Sequence, residues 1–162
     1  MTTTRVTRVI RAPRVDVYRA LIDGEAVERW MVPEGMASHV HAFDARRGGA
    51  FRISLTYDAP IGTGKTSERT DSYHGTFVEL VPGRKVVQRI EFESDDPAMQ
   101  GPMTVTYLLA DVDGDTEIVG VHEDLPPGIS PADNELGWTM SLGKLARLVE
   151  GHVDTSPPDD QR

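Results

Sequence analysis

Hydrophobic and polar residues alternate along much of the chain, and the alternation is clearest in residues 50–57, AFRISLTY. Phe51, Ile53 and Leu55 share one face of this stretch, and polar residues occupy the other. A period of two is typical of a strand with one buried face. Similar stretches, bounded by turn-forming residues, occupy 5–11, 38–44, 72–80, 85–93, 102–110 and 116–124. The pattern predicts about seven strands, and their succession as hairpins favours an antiparallel sheet.

Two short helices are predicted between the first and second strands. In residues 13–23, Val17 and Leu21 fall on one helical face. Residues 25–31 form the second helix, which must end before Pro33 because the residue preceding a proline disfavours helical geometry.

A longer helix is predicted over residues 135–150, ELGWTMSLGKLARLVE. With about 100° per residue, a single apolar stripe collects Trp138, Leu142, Leu145 and Val149. The helix also contains Gly137 and Gly143, each of which costs ~1 kcal/mol relative to alanine. Gly137 flanks the tryptophan, whereas Gly143 lies off the stripe. These glycines can let the helix approach the sheet closely, or they can widen the space beneath it.

These elements together predict an α+β fold with one domain over residues 1–150. A curved antiparallel sheet of about seven strands carries two short helices, and the long C-terminal helix lies across it. Residues 151–162, GHVDTSPPDDQR, are polar and proline-containing, which predicts a disordered C-terminal tail.

Composition narrows the classes of partner. The 162 residues carry a net charge of −9, which on average repels phosphate backbones, so nucleic acid is not expected as a partner. The sequence lacks the run of about eighteen apolar residues that a membrane span needs. No export signal is visible, so we expect a cytoplasmic protein. Cysteine is absent, which excludes disulfides and thiolate metal sites. No motif calls for a cofactor.

Four stretches carry a resemblance to a known family: RAPRVDVYRALID, ERWMVPEG, FDARRGGAFRIS and HGTFVELVPGRKVV. The third is similar to an Asp-x-Arg-x-Gly-Gly-x-Phe pattern. With the order of elements, they resemble the helix-grip fold of the START-like (SRPBCC) superfamily. Within it, the chain is similar to the family related to the activator of heat-shock protein 90 ATPase. The resemblance covers about residues 5 to 150, and its motifs are specific for the fold rather than for a function.

The resembled fold encloses a cavity between the sheet and the long helix, which implies a binding site for an apolar or aromatic small molecule. The candidate lining residues are Trp30, Phe51, Ile53, Tyr57, Met103, Tyr107, Gly120, His122, Trp138 and Leu142. Sequence alone leaves two interpretations open for the large side chains. They either fill a plain core or form the wall of a pocket, because a pocket wall is a core with a gap in it.

His122 is the candidate polar contact of this cavity. If Ile118 points inward, Gly120 and His122 do so too by strand alternation, and the glycine opens space beside the imidazole. A histidine in a pocket can act as an acid, a base or a hydrogen-bond partner. The plainer alternative is a histidine bonded near the mouth. His74 can share this interior, but the sequence does not decide which face of its strand the side chain occupies.

His39 and His41 lie two residues apart and so share one face of a strand. Two histidines can begin a metal site, but nothing nearby supplies a third ligand, and a polar outer face is the simpler interpretation. We therefore predict no metal.

Three functions are compatible with the sequence. The first is a binding domain for a small hydrophobic molecule, which needs no catalytic group. The second is an enzyme of the cyclase or hydratase type, in which His122 acts with a tyrosine such as Tyr107. The third is a co-chaperone-like interaction module. A homodimer is the default expectation for a protein of this kind, and no residue argues the point.

Overall fold

Seven strands and three α-helices make up the part of the protein that the computed structural model describes, residues 2–32, 36–57 and 70–153. Residues 57, 70, 71 and 151–153 are described by their backbone alone. The strands are β1 (Thr4–Ile10), β2 (Met36–Phe43), β3 (Ala50–Tyr57), β4 (Thr70–Val81), β5 (Lys85–Phe92), β6 (Met103–Val112) and β7 (Asp115–Glu123). The helices are α1 (Arg14–Leu21), α2 (Gly24–Trp30) and α3 (Pro131–Val153), and a short 3₁₀ turn spans Pro97–Met99.

All seven strands form one curved antiparallel sheet in the order β1-β7-β6-β5-β4-β3-β2. Every strand after β2 pairs with the one before it, so hairpin after hairpin builds the sheet. β7 then returns beside β1. With two short helices after β1 and the long α3 at the end, the predicted α+β helix-grip fold is confirmed.

Glycine-containing turns set the hairpins. Asp113 and Gly114 join β6 to β7 with φ values of 52° and 88°, and Val112 pairs directly with Asp115. Positive φ at both central residues is the geometry of a two-residue type I′ hairpin. Between β2 and β3, Gly48 has φ 82°, as the double glycine predicts.

Helix α3 covers the concave face with its apolar stripe. Leu142 and Leu145 are fully buried and Val149 is nearly so. The helix packs against β1, α1 and α2. The exposed Arg147 lies on the opposite side. The stripe read from the sequence is therefore the buried face of the helix.

The helix is longer than the sequence pattern predicted. It begins at Pro131 rather than at Glu135, so residues 131–134 are helical as well. Proline is favoured in the first turn of a helix, and the hydroxyl of Ser130 accepts the backbone N–H of Asp133 at 3.3 Å. At the other end α3 continues to Val153. Residues 154–162 of the predicted tail lie outside the described residues, and the domain boundary stays a prediction.

Helix α2 is tied to α1 by a tryptophan. Trp30 is fully buried, and its Nε1–H donates to the backbone oxygen of Ala20 at 2.9 Å. Its ring meets Tyr107 of β6 edge to face at 6.1 Å between centroids. The two short helices are thereby anchored to the middle of the sheet. Within the described ranges, no helix has the length and hydropathy needed to cross a bilayer.

Leu145→Ala should lower the free energy of unfolding by ~2–5 kcal/mol, because it removes a fully buried side chain and leaves a cavity. Urea denaturation measures the effect. Arg147→Ala on the exposed face is the matched control and should change stability by less than about 0.5 kcal/mol. Equal midpoints for the two variants would contradict the packing described for α3.

Gly49→Ala should impair folding because a Cβ at this position would overlap the backbone oxygen of Asp44. Gly120→Ala is the matched control, since a Cβ there would have only the backbone oxygen of Val6 within reach, at 4.0 Å. Soluble yield and melting temperature report the outcome. A Gly49→Ala variant that melts with the wild type would show that the turn can open without cost.

Candidate ligand-binding cavity

A cavity of about 180 Å³ lies between the sheet and the first half of α3. Its apolar wall is made by Met31, Leu55, Ile90, Phe92, Met103 and Val105. Polar side chains enter the lining from the sheet and from the helix, namely Tyr73, Gln88, Tyr107, His122, Asp133, Asn134 and Ser141. Gly137 and Trp138 complete it. The site is thus a mostly apolar cleft with a few polar groups, the usual composition of a small-molecule pocket.

The structure brings four of the ten predicted lining residues to this cavity: Met103, Tyr107, His122 and Trp138. Others are buried in the core but do not line the cavity, namely Trp30, Phe51, Ile53 and Leu142. Gly120 faces the same side of β7 as His122 without lining the cavity, and the side chain of Tyr57 lies outside the described residues.

Sequence reasoning missed the cavity's polar wall. Gln88 is only 3% exposed and alternates with the buried Val86 and Ile90 along β5. A polar residue at an inward position of a strand is the signal that could have found it, since a buried polar group needs a partner. Asn134 lies one residue before the start that the apolar pattern predicts for the long helix, so periodicity does not assign it to that helix.

His122 is held by side chains of α3. The Nε1–H of Trp138 donates to His122 Nδ1 at 2.9 Å. Asn134 Nδ2 also lies 2.9 Å from His122 Nδ1. Asn134 Oδ1 in turn accepts the hydroxyl proton of Thr4 in β1. Because Oδ1 accepts from Thr4, the Nδ2–H₂ group of the amide is the one that donates to the imidazole.

These hydrogen bonds decide the tautomer of His122. An indole N–H can only donate, so Nδ1 must carry a lone pair, and the proton of the neutral ring sits on Nε2. Asn134 Oδ1 also lies 3.2 Å from Nδ1, but an acceptor cannot bond to a lone pair. Nε2 is buried and has no hydrogen-bond partner among the described residues. The imidazole therefore presents an unused donor.

Burial keeps His122 uncharged. Desolvation lowers the pKa of the imidazole to about 4. Burial likewise raises the pKa of Tyr107 well above its ordinary value, with a further contribution from Tyr73. Both groups thus stay neutral across the physiological range of pH.

Trp138 joins the two halves of the site. Its ring meets His122 edge to face at 4.6 Å and Tyr107 at 5.6 Å between centroids. Trp30 packs behind it at 6.5 Å. The hydrogen-bonded edge of the indole and its packed faces both fix the distance between α3 and the sheet at this point.

His39, His41 and His74 lie on the outer face of the sheet. His74 is exposed, so it does not share the cavity, and its Nδ1 lies 3.1 Å from Glu93 Oε2. Arg52 donates two hydrogen bonds to the same carboxylate and, with His74, lowers the pKa of Glu93 to about 2.

His39 and His41 lie next to each other, with 4.5 Å between ring centroids. His39 contacts Glu28, whereas His41 Nε2 lies 2.7 Å from the hydroxyl of Ser54. Among the described residues, no group of three or more metal-ligating side chains surrounds a common point.

Acidification should destabilise the protein through His122. The folded pKa of about 4 lies below the ordinary 6.5, so the unfolded chain binds more protons between these pH values. The stabilising contribution is complete above pH 6.5 and is lost as the pH falls towards 4, by on the order of 3 kcal/mol. Urea denaturation across this range should show a shallower pH dependence for His122→Gln, whose amide oxygen can still accept from Trp138.

Nitrogen-15 NMR of the imidazole provides a direct check. Above pH 5 the ring should show the neutral tautomer with the proton on Nε2. An Nδ1–H tautomer would contradict the assigned hydrogen bonds. Equal pH dependence in the wild type and His122→Gln would contradict the lowered pKa of His122.

Known proteins share this architecture. The sequence profile of the family described as Activator of Hsp90 ATPase homolog 1-like protein matches residues 11–150. No curated protein matches the chain. Among solved structures, protein CV1439 from Chromobacterium violaceum is 35% identical, with a TM-score of 0.81 over 97% of this chain and 98% of its own. The AHSA1 protein from Silicibacter pomeroyi is 19% identical, with a TM-score of 0.75 over 93% of this chain and 99% of its own.

A third neighbour is larger. DynU16, a protein in the dynemicin biosynthetic locus, is 23% identical with a TM-score of 0.66, over 93% of this chain and 48% of its own. At this identity the likeness concerns the fold alone. The family profile covers most of the chain, and the relative from Chromobacterium violaceum covers nearly all of it. The chain therefore belongs to the family of Activator of Hsp90 ATPase homolog 1-like proteins, with a START-like fold.

Proposed function

We propose that the protein binds one small apolar or aromatic molecule in the cavity beneath α3. The observation that carries this proposal is the cavity itself, about 180 Å³ with mainly apolar walls. Elsewhere the second half of α3 packs tightly, with Leu142, Leu145 and Ala146 fully buried. Beneath the first half of α3, by contrast, a gap lined by Gly137 separates the helix from the sheet. Because protein interiors are normally close-packed, this gap is room for a ligand.

The volume restricts the size of the ligand. An apolar cavity of about 150 Å³ in another protein holds a benzene molecule. Pockets for drug-sized molecules are larger, roughly 300 to 1,000 Å³. A cavity of about 180 Å³ therefore suits a single substituted ring or an aliphatic molecule of similar bulk.

The enzyme alternative has one observation in its favour, since His122 and Tyr107 both line the cavity. Their protonation argues for binding instead. A general base works best with a pKa near the operating pH, whereas the pKa of His122 is lowered to about 4 and its free nitrogen already carries a proton. The raised pKa of Tyr107 makes it a weak acid. Both groups are suited to donating hydrogen bonds rather than to transferring protons.

A co-chaperone-like role rests on the family's description, and no contact among the described residues favours it over ligand binding. We keep the cytoplasm as the proposed compartment, on the sequence argument given above.

Gly137→Leu should abolish binding of single-ring ligands, because Gly137 lines the cavity and the added side chain would fill it. Ligand-observed NMR with toluene measures the binding. Gly120→Ala is the matched control, since it adds a Cβ outside the cavity and should leave toluene binding intact. Circular dichroism confirms that both variants are folded. A wild type that shows no toluene binding at millimolar concentration would overturn the proposed function.

A further inference from the structure

Two hydrogen-bonding groups of the cavity lining have no partner among the residues that the structure describes. Nε2 of His122 and the hydroxyl of Tyr107 are both buried, and neither forms a hydrogen bond within the described ranges. Most buried polar atoms in proteins are hydrogen-bonded, and each exception costs free energy that needs an explanation. A third such atom, Ser38 Oγ, belongs to a residue outside the cavity lining, whereas His122 and Tyr107 line the same cavity.

The strand register places these groups as neighbours. His122 pairs with Val105 and Tyr107 pairs with Gly120, so the two side chains are diagonal neighbours on the inner face of β6 and β7. Diagonal partners lie within reach of aromatic side chains. Gly120 contributes no side chain between them. The register therefore places both groups on one small area of the inner face of the sheet.

The chemistry of the free groups is that of donors. His122 Nδ1 already accepts from Trp138 and Asn134, so Nε2 carries the proton and can only donate. The hydroxyl of Tyr107 has its proton free as well. An oxygen with two lone pairs is the complementary partner for two convergent donors.

The charge of the lining excludes an anion as the preferred partner. The described lining contains one carboxylate, Asp133, and no lysine or arginine. A carboxylate ligand buried here would have no cation to pair with, and burying an unpaired charge is costly. An uncharged oxygen, as in a ketone, aldehyde or ester, carries no such penalty.

We infer that the ligand of this cavity is an uncharged carbonyl compound of single-ring size, whose oxygen accepts hydrogen bonds from His122 Nε2–H and Tyr107 O–H. The inference rests on the proposed function, since it names the chemical class that the proposed cavity takes.

Three probes of equal non-hydrogen atom count test the inference by NMR titration. Acetophenone carries the carbonyl, cumene replaces its oxygen by a methyl group, and benzoate replaces its methyl group by a charged oxygen. Acetophenone should bind about tenfold more tightly than cumene, because cumene leaves both donors unpaired. Benzoate should bind more weakly than acetophenone at pH 7.

Tyr107→Phe removes one of the two donors and should bring the affinities for acetophenone and cumene closer together. The hydroxyl has no partner in the described structure, so this variant should fold with wild-type stability or better. Tyr18→Phe is the matched control, because it removes a hydroxyl from a residue outside the cavity and should retain the preference. His122→Phe removes the second donor and also the hydrogen bond from Trp138. Circular dichroism checks that this variant still folds.

The outcomes separate this inference from the proposed function. Equal binding of acetophenone and cumene to the wild type would overturn the carbonyl assignment and leave the apolar cavity in place. Benzoate binding more tightly than acetophenone would overturn the uncharged ligand class. Absence of binding for all three probes and for toluene would overturn the proposed function itself. A preference that Tyr107→Phe and His122→Phe each leave unchanged would show that neither donor contributes to it.

Discussion

The hydrogen bond from Trp138 to His122 is the interaction on which the site depends. It joins the first half of α3 to β7 at 2.9 Å, and the edge-to-face contact of the two rings adds to it. The second half of the same helix is held by the burial of leucine and valine side chains and by Glu150, whose carboxylate accepts the backbone N–H of Arg11 at 2.9 Å. A helix is stiff over this length, so its two attachments together fix how far the intervening turn stands above the sheet. The cavity is the space that this geometry leaves.

The same hydrogen bond sets the chemistry of the cavity. An indole donor on one imidazole nitrogen places the remaining proton on the other nitrogen. Burial then prevents a second proton from binding, as the lowered pKa of His122 shows. The result is a neutral donor in an apolar wall. Packing and hydrogen bonding thus act together to make the site suited to recognition rather than to acid–base chemistry.

The sheet separates two electrostatic environments. Its outer face carries the ion pairs of Arg52 and His74 with Glu93, where water reaches each partner. Its inner face carries uncharged polar groups such as Gln88 and Tyr107 within apolar surroundings. Gly137 and Gly143 of α3 have distinct settings in this arrangement. Gly137 lines the cavity, whereas Gly143 is buried beside the guanidinium of Arg8 in β1. The sequence pattern leaves Gly143 off the apolar stripe, but in the structure α3 comes close to β1 at this position.

The sequence by itself determined the strands, the helices and their packing faces. Alternation marks a half-buried strand, a helical stripe marks the buried face of α3, and double glycine or Asp-Gly marks a turn, because each signal is local and repeats along the chain. Only the tertiary structure decided which buried side chains border empty space. Ile53 and Leu55 share one face of the same predicted strand, yet Ile53 packs in the core and Leu55 lines the cavity. The contacts that separate them join segments far apart in the chain, as Thr4 and Asn134 do, and periodicity carries no information about such distant partners.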